Sequence, residues 1–208
     1  MISPSNVTLI SRAILQITPS TSKKPGVEQI VYYQAGVGTS YGTLERVQAG
    51  AVGAGLMEHV REVYGFIVHN YSDGDEIYLV GFSRGAYTAR SVAGLISRFG
   101  LLTKRGMDGI ADVLDAYRKD EFLNTDKVIN ELAAKYERGY VDVPIKAVCV
   151  FDTVGSLGIP DLYFAGYKLP GVDQVLNLLD ENYKFSDTNL HDNIENAFQA
   201  YSLSGIVE

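Results

Sequence analysis

The 208-residue chain contains no tryptophan, one cysteine and three histidines. One cysteine cannot close an internal disulfide, so nothing in the chain points to an oxidising compartment, and the apolar run around Cys149 marks it as a small hydrophobe. Three histidines leave few groups for proton transfer near neutral pH. No His, Cys, Asp or Glu grouping has zinc-ligand spacing, so neither a metal nor a cofactor is expected. Long apolar runs are missing too. Residues 49–57 are short and Gly-rich and end at Glu58, which excludes them as a transmembrane span. The first residues, Met1-Ile2-Ser3-Pro4-Ser5-Asn6, lack a basic stretch followed by an apolar core, so no signal peptide is read and cytoplasmic residence is expected. An excess of basic charge is also lacking, with 18 Lys and Arg against 25 Asp and Glu. Nucleic-acid binding through phosphate neutralisation is therefore not expected. An anionic membrane repels such a chain on average, which leaves peripheral membrane contact to local patches.

What is present suits one α/β domain over residues 1–208, since 46% of the residues are hydrophobic. Ser5 or Asn6 caps a predicted helix to about Ile17, with Val7, Ile10, Ile14 and Ile17 on one face. Residues 29–33 (Gln-Ile-Val-Tyr-Tyr) read as a strand and residues 44–70 as a long helix. A strand before residue 81 and a helix over 86–99 follow. Residues 101–140 read as a helical insertion (107–117 and 126–136), a cap over the site. Residues 145–151 are nearly continuous in apolar side chains, as buried parallel strands are. Residues 155–171 read as a loop, 183–186 as a short strand, and 189–203 as a last helix opening at Asn189 or Asp192. Alternating strands and helices imply a parallel sheet covered on both faces.

The strongest chemical signal is Gly81-Phe82-Ser83-Arg84-Gly85, with an apolar strand before it and a helix after it. That is the setting of a nucleophile elbow. Gly81 and Gly85 are expected because a Cβ two residues either side of the serine would meet backbone in so tight a turn. The turn lifts the Ser83 hydroxyl above the sheet edge and aims the Arg84 N–H at the position of a forming oxyanion. The competing reading is a serine in an ordinary strand–helix turn that caps the helix. A serine nucleophile needs a base and a group to orient that base. Asp152 follows the strand ending at Phe151, the end at which parallel sheets bind ligands, and is the expected acid. His191 follows it in the order Ser, acid, His and is the candidate base; His59 and His69 precede the serine on the long helix. Gly36-x-Gly38-x-x-x-Gly42 superficially suggests a phosphate loop, but it lacks both G-x-G-x-x-G spacing and a Gly-Lys-Ser/Thr ending.

Three segments taken together resemble a known family: Tyr32-Tyr33-Gln34-Ala35-Gly36-Val37-Gly38-Thr39, then Val80-Gly81-Phe82-Ser83-Arg84-Gly85-Ala86-Tyr87-Thr88-Ala89-Arg90, then Phe151-Asp152-Thr153-Val154-Gly155-Ser156-Leu157-Gly158. In this order they are similar to the α/β-hydrolase family that includes the first group of type VI secretion lipase effectors. The resemblance runs from about Asn6 to Leu203. It implies an α/β-hydrolase-like three-layer sandwich, hydrolysis of phospholipid or other lipid esters, Ser83 as nucleophile and Asp152 as triad acid. The sequence departs from the family pattern at both ends. It lacks the strand ending in Asp-Gly-Thr that members carry before the segment matching Ser5-Asn6-Val7, a loop expected near the oxyanion. It also lacks the Gly-x-His-x-Asp-x-Gly-Gly motif that follows the segment matching 193–203, whose histidine is the stronger candidate for the base. A truncated domain is therefore expected. The reading is a serine hydrolase on carboxylic esters; the alternative is a catalytically incomplete remnant with a binding or regulatory role.

Overall fold

A computed structural model describes residues 4–21, 25–35, 51–119, 126–152, 163–164, 167–168 and 190–201. Helix α1 (Asn6–Ala13) is capped as expected, with the Ser5 side chain accepting from Thr8 N–H. It ends four residues short of Ile17. Its successor residues run extended and form a single antiparallel bridge, Ile17 opposite Glu28. Helix α2 (Ala51–Asn70) ends where the periodicity of the sequence ends. Strand β1 (Ile77–Phe82) alternates buried and more exposed positions, as a strand with one covered face does. Helix α3 (Arg84–Phe99) follows directly, apolar along one side and buried there.

The next segment leaves and re-enters the sheet through the antiparallel pair β2 (Leu101–Leu102) and β3 (Arg138–Tyr140). Between them lie a 3₁₀ turn (Gly106–Gly109), α4 (Ile110–Arg118) and α5 (Asp126–Tyr136). Strand β4 (Ile145–Phe151) pairs in parallel with β1. The short strands β5 (Tyr163–Phe164) and β6 (Tyr167–Lys168) pair with each other. The last strand, β7 (Ala197–Ala200), pairs in parallel with β4, giving the order β1-β4-β7.

The chain is thus an α/β protein with a parallel sheet and helices packed on it. Leu79, Val148 and Val150 are buried on the face that carries α3, and α2 packs on α3 in turn. The core continues through Val60, Tyr64, Val92, Leu95 and Ile96. Tyr64 anchors it with polar contacts: its hydroxyl donates to Gly100 O and accepts from Leu102 N–H, both at 3.0 Å. On the opposite face Tyr78, Phe82 and Phe198 remain exposed, Ala147 is buried, and α1 makes contact with β1.

Three expectations change. The last helix is replaced in part by β7. Residues 193–196 bind along the edge of β4, with Ile145 N–H donating to Asn193 O (2.8 Å), Val148 N–H to Asn196 O (3.0 Å), and the side chains of Asn193 and Asn196 to Val143 O and Lys146 O. An open row of strand amides and carbonyls overrides a helical composition. Residues 29–33 form no ladder among the described residues, and Ile30 to Tyr33 stay exposed. The insertion does not cap the Ser83 end. It departs from the far end of α3, whose sixteen residues carry the chain about 24 Å back along the sheet, and it rejoins at the start of β4. The loop around Gly36, the start of the predicted long helix, most of the 155–171 loop and the 183–186 strand lie outside the described residues.

Candidate active site

Ser83 occupies the single residue between β1 and α3, at φ 55° and ψ −119°. A residue with a Cβ is strained at this positive φ, at a cost of about 1–3 kcal/mol. The local cause is the abrupt reversal from strand to helix. Ala86 N–H already donates to Ser83 O at 3.1 Å, so the helix begins at the serine itself. The Ser83 side chain makes no capping bond to α3. The competing reading of an ordinary N-cap serine therefore does not describe this hydroxyl. Gly81 is required where it stands: a Cβ there would run into Gly85 O and lie 2.5 Å from Ala86 Cα. Gly85 differs from expectation, since a Cβ there would meet nothing within 4 Å. Its backbone, not a side chain, is what crowds the turn.

Asp152 stands beside the serine. Phe82 pairs with Phe151 in register, so Ser83 and Asp152 each follow the last residue of neighbouring parallel strands. Ser83 N–H donates to Phe151 O at 3.0 Å, and Asp152 N–H donates to Ala200 O of β7 at 2.7 Å. Asp152 also has a left-handed backbone, φ 47°. Two strained non-glycine residues thus sit side by side at the carboxyl edge of the sheet. Arg84 opens α3, where the amides of the first turn point along the axis out of the helix and favour negative charge.

His191 is placed elsewhere. Ile194 bridges Ile145, the first residue of β4, and Ile194 N–H donates to His191 O. His191 therefore precedes the amino edge of the sheet. The six residue steps of β4 from Ile145 to Phe151 separate it from Asp152 by about 20 Å at the usual rise per strand residue. This corrects the expectation that His191 serves Ser83: chain order Ser, acid, His is satisfied, but the histidine lies at the wrong end of the parallel strands. His69 stands at the C-terminal end of α2, with its Nδ1 2.7 Å from Gly65 O.

The amino edge is instead an electrostatic clasp. Lys146 Nζ lies 2.7 Å from Glu195 and 3.5 Å from Glu76, joining the approaches to all three strands. Its hydrogen bond to Glu195 raises the ammonium pKa above the ordinary lysine value. Burial raises the Cys149 thiol, which disfavours the reactive thiolate. Among the described residues no cluster of three or more His, Cys, Asp or Glu could hold a metal ion, and no helix is long and apolar enough to cross a membrane. Sequence reading missed an open groove of about 170 Å³ between α3 and strands β4 and β7, lined by Arg90, Ala93, Val148, Val150, Ala197 and Gln199. It depends on β7, whose pairing no local pattern reveals.

The family model described as "T6SS, Phospholipase effector Tle1-like, catalytic domain" matches residues 2–205. The uncharacterized protein YEL023C of Saccharomyces cerevisiae is 32% identical over 152 residues, which cover 64% of this chain and 22% of that protein. The chain accordingly spans about a fifth of the length of this curated relative. No solved structure matches.

Proposed function

We propose, given that the chain belongs to the family of T6SS Tle1-like phospholipase effector catalytic domains, that it is the core of a serine hydrolase acting on carboxylic esters of lipids, with an α/β-hydrolase fold. The observation that carries the reading is the pair of strained residues, Ser83 at φ 55° and Asp152 at φ 47°, on adjacent strand ends. Backbone strain of this kind persists where the surrounding structure over-determines it, and it clusters at reactive sites. The Gly81-x-Ser83-x-Gly85 turn between strand and helix supports an elbow that exposes a nucleophile.

In the proposed reaction Ser83 Oγ attacks the ester carbonyl and forms a tetrahedral oxyanion, which the Arg84 N–H stabilises at the start of α3. An imidazole takes the serine proton and returns it to the departing alcohol, leaving an acyl-serine that water hydrolyses by the same route. Asp152 fixes the tautomer of that imidazole and stabilises its charged form. His191, about 20 Å away by strand rise, does not fill the role from the amino edge. The proton acceptor is therefore the component that decides whether this chain is active by itself.

Labelling with a fluorophosphonate, which phosphonylates activated serines, tests the proposal. The purified chain is expected to label and its Ser83→Ala variant not to. Equal labelling of the variant, or no labelling of a demonstrably folded wild-type chain, overturns it; the second outcome favours the catalytically incomplete alternative.

A further inference from the structure

β7 buries little of itself. Ala197 to Ala200 are all exposed, Phe198 by 60%. A strand without a buried face has no apolar pattern to fix its register. It also gains little from packing, so its docking rests on polar contacts and it belongs to the weakly held part of the fold. Ile194, just before it, packs against the core and bridges Ile145, which anchors the entry of the strand. That anchor does not reach the far end, where Ala200 O accepts from Asp152 N–H at 2.7 Å.

Two carboxamides supply what packing does not. Asn193 Nδ2 donates to Val143 O at 2.8 Å and Asn196 Nδ2 to Lys146 O at 3.0 Å, and each reaches back 50 positions along the chain. Because the offset is the same, both bonds fit one register, and a slip of the strand breaks both together. In that register Ala200 pairs with Phe151, which puts Ala200 O on the backbone amide of Asp152. Lys146 Nζ also lies 2.7 Å from Glu195. An ion pair this exposed is worth little and is screened by salt, so the asparagines are the stronger fixings.

We infer that Asn193 and Asn196 are positioning residues for Asp152. Their carboxamides set the register of β7, and β7 presents Ala200 O. That carbonyl holds the Asp152 N–H, and with it the strained backbone at φ 47° that directs the Asp152 side chain. Without the carbonyl, strain favours a relaxed backbone and a different direction of the Cα–Cβ bond. Neither asparagine touches the reacting atoms. Both act from the entry of β7, at the other end of the strand from Ser83. The inference rests on the serine-hydrolase reading for the role of Asp152, and its first readout needs no turnover, so either can fail alone.

The experiment is amide hydrogen exchange, read residue by residue by NMR, on the full chain and on its Asn193→Val, Asn196→Val double variant. Valine removes both donors yet favours strands, so a change cannot come from lost strand propensity. The Asp152 amide is expected to exchange about tenfold faster in the variant, as the loss of two hydrogen bonds implies. The Ser83 amide is bonded to Phe151 O on the β1 side of β4. It is expected to stay within about twofold of the parent, because it does not depend on β7. Fluorophosphonate labelling per folded chain is expected to slow severalfold or more, since misplacing a catalytic group is costly. An unchanged Asp152 amide, or equal acceleration at Asp152 and Ser83, overturns the proposal. So does labelling at the parent rate by a variant whose Asp152 amide has been freed. A folded parent that does not label sinks the serine-hydrolase reading by itself, and exchange still decides whether the asparagines hold Asp152. Should the double variant not fold, Asn196→Val, at an exposed position, decides by the same comparison.

Discussion

Ser83 and Asp152 each stand one residue beyond the registered pair Phe82–Phe151, and both hold a positive-φ backbone of the kind that favours glycine. The sheet enforces this. Ser83 N–H is bound to Phe151 O and Asp152 N–H to Ala200 O, so neither residue can relax without breaking a bond to the neighbouring strand. Strain maintained by cross-strand bonds has a measurable signature. Ser83→Gly removes the Cβ penalty of about 1–3 kcal/mol and adds about 0.5–1 kcal/mol of unfolded-chain entropy. The variant should be more stable by about 1 kcal/mol, a rise of about 2–4 °C in melting midpoint. Fluorophosphonate labelling should vanish in the same variant. A lowered midpoint would show that the serine conformation stores no strain.

The two glycines that flank the serine should behave in opposite ways. A Cβ on Gly81 collides with the backbone of Gly85 and Ala86, and backbone on α3 can give way only by shifting the helix. Gly81→Ala should cost about 2–3 kcal/mol or more, in the range of overpacked cores. Gly85 lies inside α3 with open space where its Cβ would be, and alanine is the better helix former by about 1 kcal/mol. Gly85→Ala should therefore hold or raise the denaturant midpoint. Equal destabilisation by both substitutions in urea titrations would contradict the packing described.

The contrast between these glycines shows how far local pattern reaches. The turn at Ser83 was legible because its signal is contained in five consecutive residues, with an apolar strand on one side and helical periodicity on the other. Asp152 was legible for the same reason, as the first polar residue after the apolar run of β4. The role of β7 was not legible. Residues 197–200 (Ala-Phe-Gln-Ala) have a helical composition, and their strand state comes from Asn193 and Asn196 binding Val143 and Lys146, some 50 positions away. The location of the 101–140 insertion was legible in principle, because a sixteen-residue α3 must deliver the chain to the end of the sheet opposite Ser83. His191 shows the limit of chain order: order along the sequence does not say at which end of a parallel strand a residue enters.

That placement of His191 makes a direct prediction. Ile194 bridging Ile145 fixes His191 at the amino edge, at the other end of the parallel strands from Ser83. His191→Gln should leave the rate of fluorophosphonate labelling unchanged within about twofold, whereas loss of a triad base lowers the rate by orders of magnitude. Asp152→Asn, by contrast, should slow labelling strongly in any chain that labels at all, since it removes the group proposed to hold the imidazole. A His191→Gln chain that folds normally but labels a hundredfold more slowly would return the histidine to the site.

The buried phenol of Tyr64 ties stability to alkaline pH. Its hydroxyl is the acceptor for Leu102 N–H and the donor to Gly100 O, in a position with no solvent exposure. Burial raises its pKa above the ordinary value of 10.0, outweighing the lowering by the Leu102 amide and the Arg138 charge. In the unfolded chain the phenol ionises near its ordinary value while the folded protein keeps the proton, so the unfolded state binds fewer protons above that pH. Stability from this group is accordingly full below about pH 10 and falls as pH rises from there toward the folded pKa. Tyr64→Phe cannot ionise and should lack this part of the alkaline loss. At neutral pH the same substitution should be costly, because it strands the Leu102 N–H and the Gly100 carbonyl in the core at about 1–3 kcal/mol for each group left unpaired. Melting midpoints of both proteins from pH 7 to 11 should therefore converge as pH rises. Parallel curves would mean that Tyr64 ionises as readily in the folded protein as in the unfolded chain.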